Sequence, residues 1–120
     1  MTRTLATVCA LALVCGGAGA QEEAVRGTGA VLRGLDRITT EVHDLKLANG
    51  EAADLGSLRV SLIECRYPEG NPAGDAYGHL TIREAEGGKL WFDGWMLASS
   101  PALNALEHPR YDVWVMRCTT

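Results

Sequence analysis

Ser99, Ser100, His108 and Asp112 are the residue types from which a hydrolytic triad is assembled, and they fall within 14 positions of one another. A serine nucleophile, however, needs a sharp strand-to-helix elbow of the G-x-S-x-G kind and a pair of oxyanion donors. Neither pattern surrounds Ser99 or Ser100, and a serine immediately before Pro101 is better explained as a helix cap. The sequence therefore names no catalytic residue. His43, His79 and His108 are the only histidines, and none has a second ligand at a spacing such as H-x-x-x-H, so no metal or cofactor site is read.

The cysteines speak more plainly. Cys9 and Cys15 lie in an N-terminal stretch that reads as a secretory leader. Arg3 supplies its positive start, Leu5 to Cys15 an uncharged apolar run too short to span a bilayer, and Ala18-Gly19-Ala20 a small-x-small cleavage site ahead of Gln21-Glu22-Glu23. Val14 before Cys15 does not suit a lipoprotein signal, so residues 1–20 are expected to be removed and the chain to be periplasmic, without membrane insertion of its own. Cys65 and Cys118 then remain, an even pair in an oxidising compartment with one possible connectivity, and no C-x-x-C or neighbouring histidine argues for thiol chemistry.

Charge excludes one partner class. The net charge is −4, and loss of Arg3 with the leader makes it one unit more negative. That balance does not suit a phosphate backbone, so no nucleic-acid partner is expected.

Residues 21–29 are polar and glycine-containing and read as a flexible start, followed by one β-rich domain over 30–120. Strands are expected over Ala30–Ile38, Glu41–Leu47, Leu58–Cys65 and Gly78–Arg83, with turns at Thr39-Thr40 and Asn49-Gly50 and an exposed loop over Tyr67–Asp75. Gly87-Gly88 suits a two-residue hairpin turn. That turn sets Leu80 opposite Trp95 and Arg83 opposite Phe92, which places Trp95 and Leu97 inside and leaves Trp91 as the tryptophan best placed for exposure. Ser100-Pro101 is expected to start a short helix over 101–108, ended by Pro109. The last strand, Tyr111 to Cys118, is expected to carry Trp114, Met116 and Cys118 on one face and Val113 and Val115 on the other. The expected fold is mainly β: an antiparallel sandwich or partly open barrel with one short helix and one disulfide.

The run Phe92-Asp93-Gly94-Trp95-Met96-Leu97-Ala98-Ser99-Ser100-Pro101-Ala102-Leu103-Asn104-Ala105-Leu106-Glu107-His108-Pro109, followed by Tyr111-Asp112-Val113-Trp114-Val115 and Cys118, resembles a secreted bacterial family catalogued as domain of unknown function 2155. Leu32-Arg33-Gly34-Leu35-Asp36-Arg37-Ile38-Thr39 and Cys65 fit it as well. The family more often carries a small polar residue at Asp93, Gly at Thr40 and an aliphatic at Arg110. The resemblance implies a secreted, cysteine-paired domain, and gene neighbourhoods holding an accessory factor of respiratory complex I, hence an accessory role at a membrane complex. The residues themselves suggest a non-enzymatic domain that binds another protein through a surface around Trp91, Glu107, His108, Arg110 and Tyr111. The alternative is a carrier or binder of a small ligand or glycan, with an exposed tryptophan as its platform.

Overall fold

The computed structural model describes residues 23–120; the expected leader, residues 1–20, lies outside the described residues. Eight strands follow one another: β1 Ala24–Arg26, β2 Gly29–Asp36, β3 Val42–Ala48, β4 Ala52–Leu55, β5 Leu58–Pro68, β6 Tyr77–Glu84, β7 Leu90–Leu97 and β8 Tyr111–Thr119. They form two antiparallel sheets that do not close into a barrel. The larger has the order β1-β5-β6-β7 with β4 also on β5; the smaller has the order β3-β2-β8.

Alternation along the strands builds the core. Leu58, Val60, Leu62, Leu80 and Ile82 point inward from the larger sheet, and Leu32, Val113 and Val115 meet them from the smaller one, all 2% exposed or less. The Cys65–Cys118 disulfide joins β5 to β8 across the two sheets, with the Cα atoms 5.6 Å apart.

Four expectations are corrected. The segment read as flexible carries β1, whose Ala24–Arg26 pair with Pro68 to Arg66 on an edge of β5. No helix forms over 101–108 or elsewhere among the described residues. A single turn closes there through Leu103 N–H to the Ser100 carbonyl (3.1 Å). The chain then opens, because tertiary partners take the groups a helix would need. The Asn104 amide donates to the Trp95 carbonyl (2.9 Å), Leu106 sinks into the core at 3% exposure, and Arg37 donates to the His108 carbonyl (2.8 Å). Against these, eight residues hold too few bonds to offset helix nucleation.

The β6–β7 hairpin is shifted by one residue. Its loop is the four residues Ala85–Gly88, closed by Glu84 N–H to the Lys89 carbonyl (2.8 Å), with Gly87 and Gly88 at φ 79° and 70°. Next to the loop Arg83 faces Leu90, and a bulge at Trp91 then advances β7 by one residue, so that Ile82 faces Phe92 and Leu80 faces Gly94. A one-residue slip exchanges the two faces of a strand, so Phe92 and Met96 are buried and Trp95 is outside, 37% exposed. In β8, a bulge leaves Met116 unpaired between Val115, opposite Leu32, and Arg117, opposite Val31. Cys118 accordingly shares the inner face with Val113 and Val115, and Trp114 and Met116 lie half-buried on the outer one.

Candidate functional site

Three of the four residues that suggested chemistry, Ser99, His108 and Asp112, are occupied in holding loops. The Ser99 hydroxyl donates to Asp75 Oδ2 (2.6 Å), and its N–H to Asp75 Oδ1 (3.0 Å), which ties the turn after β7 to the loop before β6. Burial pushes the Asp75 carboxyl up, but these bonds and the Ala76 N–H outweigh it and leave the group below its ordinary value. His108 Nδ1 accepts the N–H groups of Arg110 (3.0 Å) and Tyr111 (3.1 Å), which assigns its ring proton to Nε2, 3.8 Å from Glu84 Oε1. Asp112 lies 3.7 Å from Arg37. Each of these side chains has a structural partner other than the triad members it would need.

The expected surface residues come partly together. Trp91 stands edge-on to His108 with ring centres 4.3 Å apart, and His108 is 5.3 Å from the Tyr111 ring. Trp91 Nε1 donates to Glu84 Oε1 (2.8 Å), and the Lys89 ammonium covers its ring at 4.2 Å. Arg110 binds Asp36 through two bonds, Nε to Oδ1 (3.1 Å) and Nη2 to Oδ2 (2.8 Å). Asp36 Oδ1 also accepts from the Ile38 and Thr39 N–H groups, capping the turn to β3. The Arg110 bond, against burial, holds the Asp36 carboxyl far below the usual carboxylate range. Tyr111 is 3% exposed, so it belongs to the core and not to a recognition surface. Only Glu107 is exposed among the five. The cluster is a clasp at one end of the sandwich.

The exposed aromatic lies elsewhere. Trp95 stacks on His79, directly opposite it on β6, with ring centres 4.9 Å apart and planes 25° from parallel. His79 Nε2 meets Asp93 Oδ1 at 3.3 Å, and His79 is flanked on its other side by Glu64 of β5. Glu64 is held by Arg66 (2.9 Å) and Arg26 (3.2 Å); the Arg66 bond, against burial, keeps its carboxyl below the ordinary value. Ile63, the extra residue of a β5 bulge, is 42% exposed beside them. Ile63, His79 and Trp95 thus form an aromatic and aliphatic stripe across the outer face of the larger sheet, edged by carboxylates and guanidinium groups. Strand alternation on β6, with Leu80 and Ile82 inward, places His79 outward. Trp95 and Ile63 were hidden by one bulge in β7 and another in β5, which composition does not announce.

Comparison with known proteins bears on the whole of this arrangement. Residues 30–118 match the family described as "Uncharacterized protein conserved in bacteria (DUF2155)". An uncharacterized protein of Rickettsia prowazekii (strain Madrid E), RP359, is 32% identical over 87 residues, which is 70% of this chain and 56% of that protein. The chain thus spans little more than half the length of this relative. No solved structure matches.

Proposed function

The chain belongs to this bacterial DUF2155 family, and from that premise we propose that it is a non-enzymatic, disulfide-linked extracytoplasmic domain that binds another protein. The observation that carries the reading is the Ile63–His79–Trp95 stripe. An indole 37% exposed, stiffened by a stacked imidazole that itself meets Asp93 and is flanked by the Arg66-held Glu64, has the make-up of an interface anchor: a large aromatic centre with charged groups nearby. Ser99, His108 and Asp112 are engaged in the scaffold, which is why binding is favoured over turnover. The Cys65–Cys118 bond supports an oxidising compartment, the periplasm. The partner class to test first is the one the family resemblance implies, a respiratory membrane complex.

The test is cross-linking of the chain in native cells, with capture and identification of the products by mass spectrometry. Trp95→Ala is expected to weaken the dominant product at least tenfold, an anchor truncation of about 2 kcal/mol, while Leu103→Ala at an exposed site elsewhere leaves it unchanged. Products that persist in the Trp95 variant would remove this face from the reading. A glycan ligand is the second reading, favoured by the same indole with Asp93 beside it, since a sugar ring can stack on the indole while carboxylates accept from its hydroxyl groups. Titration with cell-wall fragments would then change tryptophan emission in the parent and not in Trp95→Phe.

A further inference from the structure

We propose that the free edge of β3 is a self-association site, at which a second copy of this chain adds β3 to β3 across a two-fold axis and joins the two three-stranded sheets into one of six strands.

Backbone geometry identifies the edge. Asp36 N–H donates to the Glu41 carbonyl (3.0 Å) at one end of the β2–β3 pairing, and Asn49 N–H to the Thr28 carbonyl (3.1 Å) at the other. Both fall in the register that runs through the ladder, Leu35 opposite Val42 to Gly29 opposite Ala48. Antiparallel ladders alternate between bonded and non-bonded pairs. His43, Leu45 and Leu47 therefore turn their N–H and C=O groups toward β2, and Val42, Asp44 and Lys46 turn theirs away. β3 ends its sheet, and among the described residues these outward groups make no backbone hydrogen bond. Val42, Asp44 and Lys46 are all exposed, so the edge is open to an incoming strand.

Charge selects the occupant and the register. Edge strands commonly carry charges that repel a generic strand. Here the charges are one acid and one base two positions apart on one face: Asp44, already paired with Arg33 on β2 (2.8 Å), and Lys46, which has no ion pair among the described residues. In the register that sets Asp44 opposite Lys46 of the second copy, the two-fold axis repeats the pair in reverse, with Leu45 opposite its own equivalent at the centre. A shift of two residues in one direction sets Asp44 against Asp44, and in the other Lys46 against Lys46. Opposite charges across a ladder stabilise and like charges destabilise. Only one in-phase register of this strand against itself is therefore complementary. It extends the outer-face row to Arg33, Asp44 and the second copy's Lys46, and on the inner face it covers the half-buried Leu45.

Sedimentation equilibrium of the disulfide-linked chain over a wide concentration range tests this. The mass is expected to climb from one chain toward two as concentration rises. Lys46→Asp, which places acid against acid twice, should raise the dimer dissociation constant about tenfold or more. Asp44→Lys/Lys46→Asp should restore it, since the swapped pair is again complementary. Far-ultraviolet circular dichroism of each variant reports folding. A chain that stays monomeric at every concentration overturns the proposal. So does a dimer indifferent to Lys46→Asp, or a double variant, folded by its dichroism, that stays as weak as the single one.

Discussion

Thr40 is the residue at which backbone and side chain are least matched. Its φ is 63°, the one positive value outside glycine among the described residues, and a β-branched side chain resists that region. The turn demands it, since Asp36 caps the Ile38 and Thr39 N–H groups while the Thr40 N–H returns to the Asp36 carbonyl (2.7 Å). Glycine, which the resemblance associates with this position, would relieve the strain. Thr40→Gly is expected to stabilise the fold by about 0.5–1 kcal/mol, the released strain less the extra entropy glycine has when unfolded. Thermal unfolding would show this as a rise of several degrees, and an unchanged or lower midpoint would mean that the Thr40 hydroxyl bond to the Thr39 carbonyl (2.6 Å) matters more. The same turn carries an acid-sensitive pair. Arg110 holds the Asp36 carboxyl below its unfolded value, so the folded state favours the ionised form. Its contribution is complete above an ordinary carboxylate pKa of about 4 and drains away as pH falls further. Asp36→Asn keeps the side-chain oxygen that caps the turn but loses the ion pair. Its deficit against the parent in urea unfolding should therefore be largest near neutral pH and shrink as pH drops below about 4. A deficit independent of pH would assign the loss to packing.

At the scale of elements, six of the eight strands are legible in the sequence: β3, β5, β6 and β8 from alternation, β2 from apolar residues without a helical stripe, and β7 as the partner of β6 across Gly87-Gly88. Leu58, Val60 and Leu62 on β5, and Leu80 and Ile82 on β6, alternate with polar residues because one face is buried and the other is not. β4 escaped because Ala52, Ala53 and Asp54 have little strand preference of their own and are held by pairing with β5. The absent helix failed for a related reason. Ser100-Pro101 is a sound local start, but Leu106, Asn104 and His108 each find a better partner in the folded sandwich than in a helical turn. The hairpin shows how one extra residue propagates. A two-residue and a four-residue turn on Gly87-Gly88 differ by two positions in pairing and keep the same faces; the bulge at Trp91 adds the odd residue and makes Phe92, not Trp95, core. That bulge also moves the candidate surface from Trp91 to Trp95, and local sequence does not announce it. It is testable by truncation. Phe92→Ala and Met96→Ala, at 8% and 2% exposure, are expected to lose about 3–5 and 2–5 kcal/mol, whereas Trp95→Ala loses about 1 kcal/mol or less. The reverse ranking in urea unfolding would restore the register that sets Trp95 inside.

Across the whole molecule, the two sheets are held at opposite ends by different means. Where β8 begins, the clasp is noncovalent: Arg110 on Asp36 and Arg37 on the His108 carbonyl fix the His108 segment to the smaller sheet, while the His108 ring against Trp91 and Glu84, and Tyr111 Oη accepting the Ser57 N–H, reach the larger one. Where β8 ends, Cys118 is bonded to Cys65, and Gly27 N–H donates to the Cys65 carbonyl (2.7 Å) while Thr28 N–H donates to that of Thr119 (2.8 Å). A bond that closes a 53-residue loop restricts the unfolded chain by about 4 kcal/mol. For a domain of this size that is a large part of a total of about 5–15 kcal/mol. Breaking it with reductant, or replacing both cysteines with serine, should therefore lower the urea midpoint by roughly 2 M, given an ordinary slope of about 1–3 kcal/mol per molar. The loss has a second signature in the native state, because the two ends do not depend on the same contacts. Amide exchange in the reduced chain should accelerate first at Gly27, Thr28, Thr119 and along β1, which pairs only with the outer edge of β5. Amides near Tyr111 and His108 should keep their protection until global unfolding. Uniform acceleration at both ends would show that the disulfide and the clasp form one cooperative unit, and that the sandwich opens only as a whole.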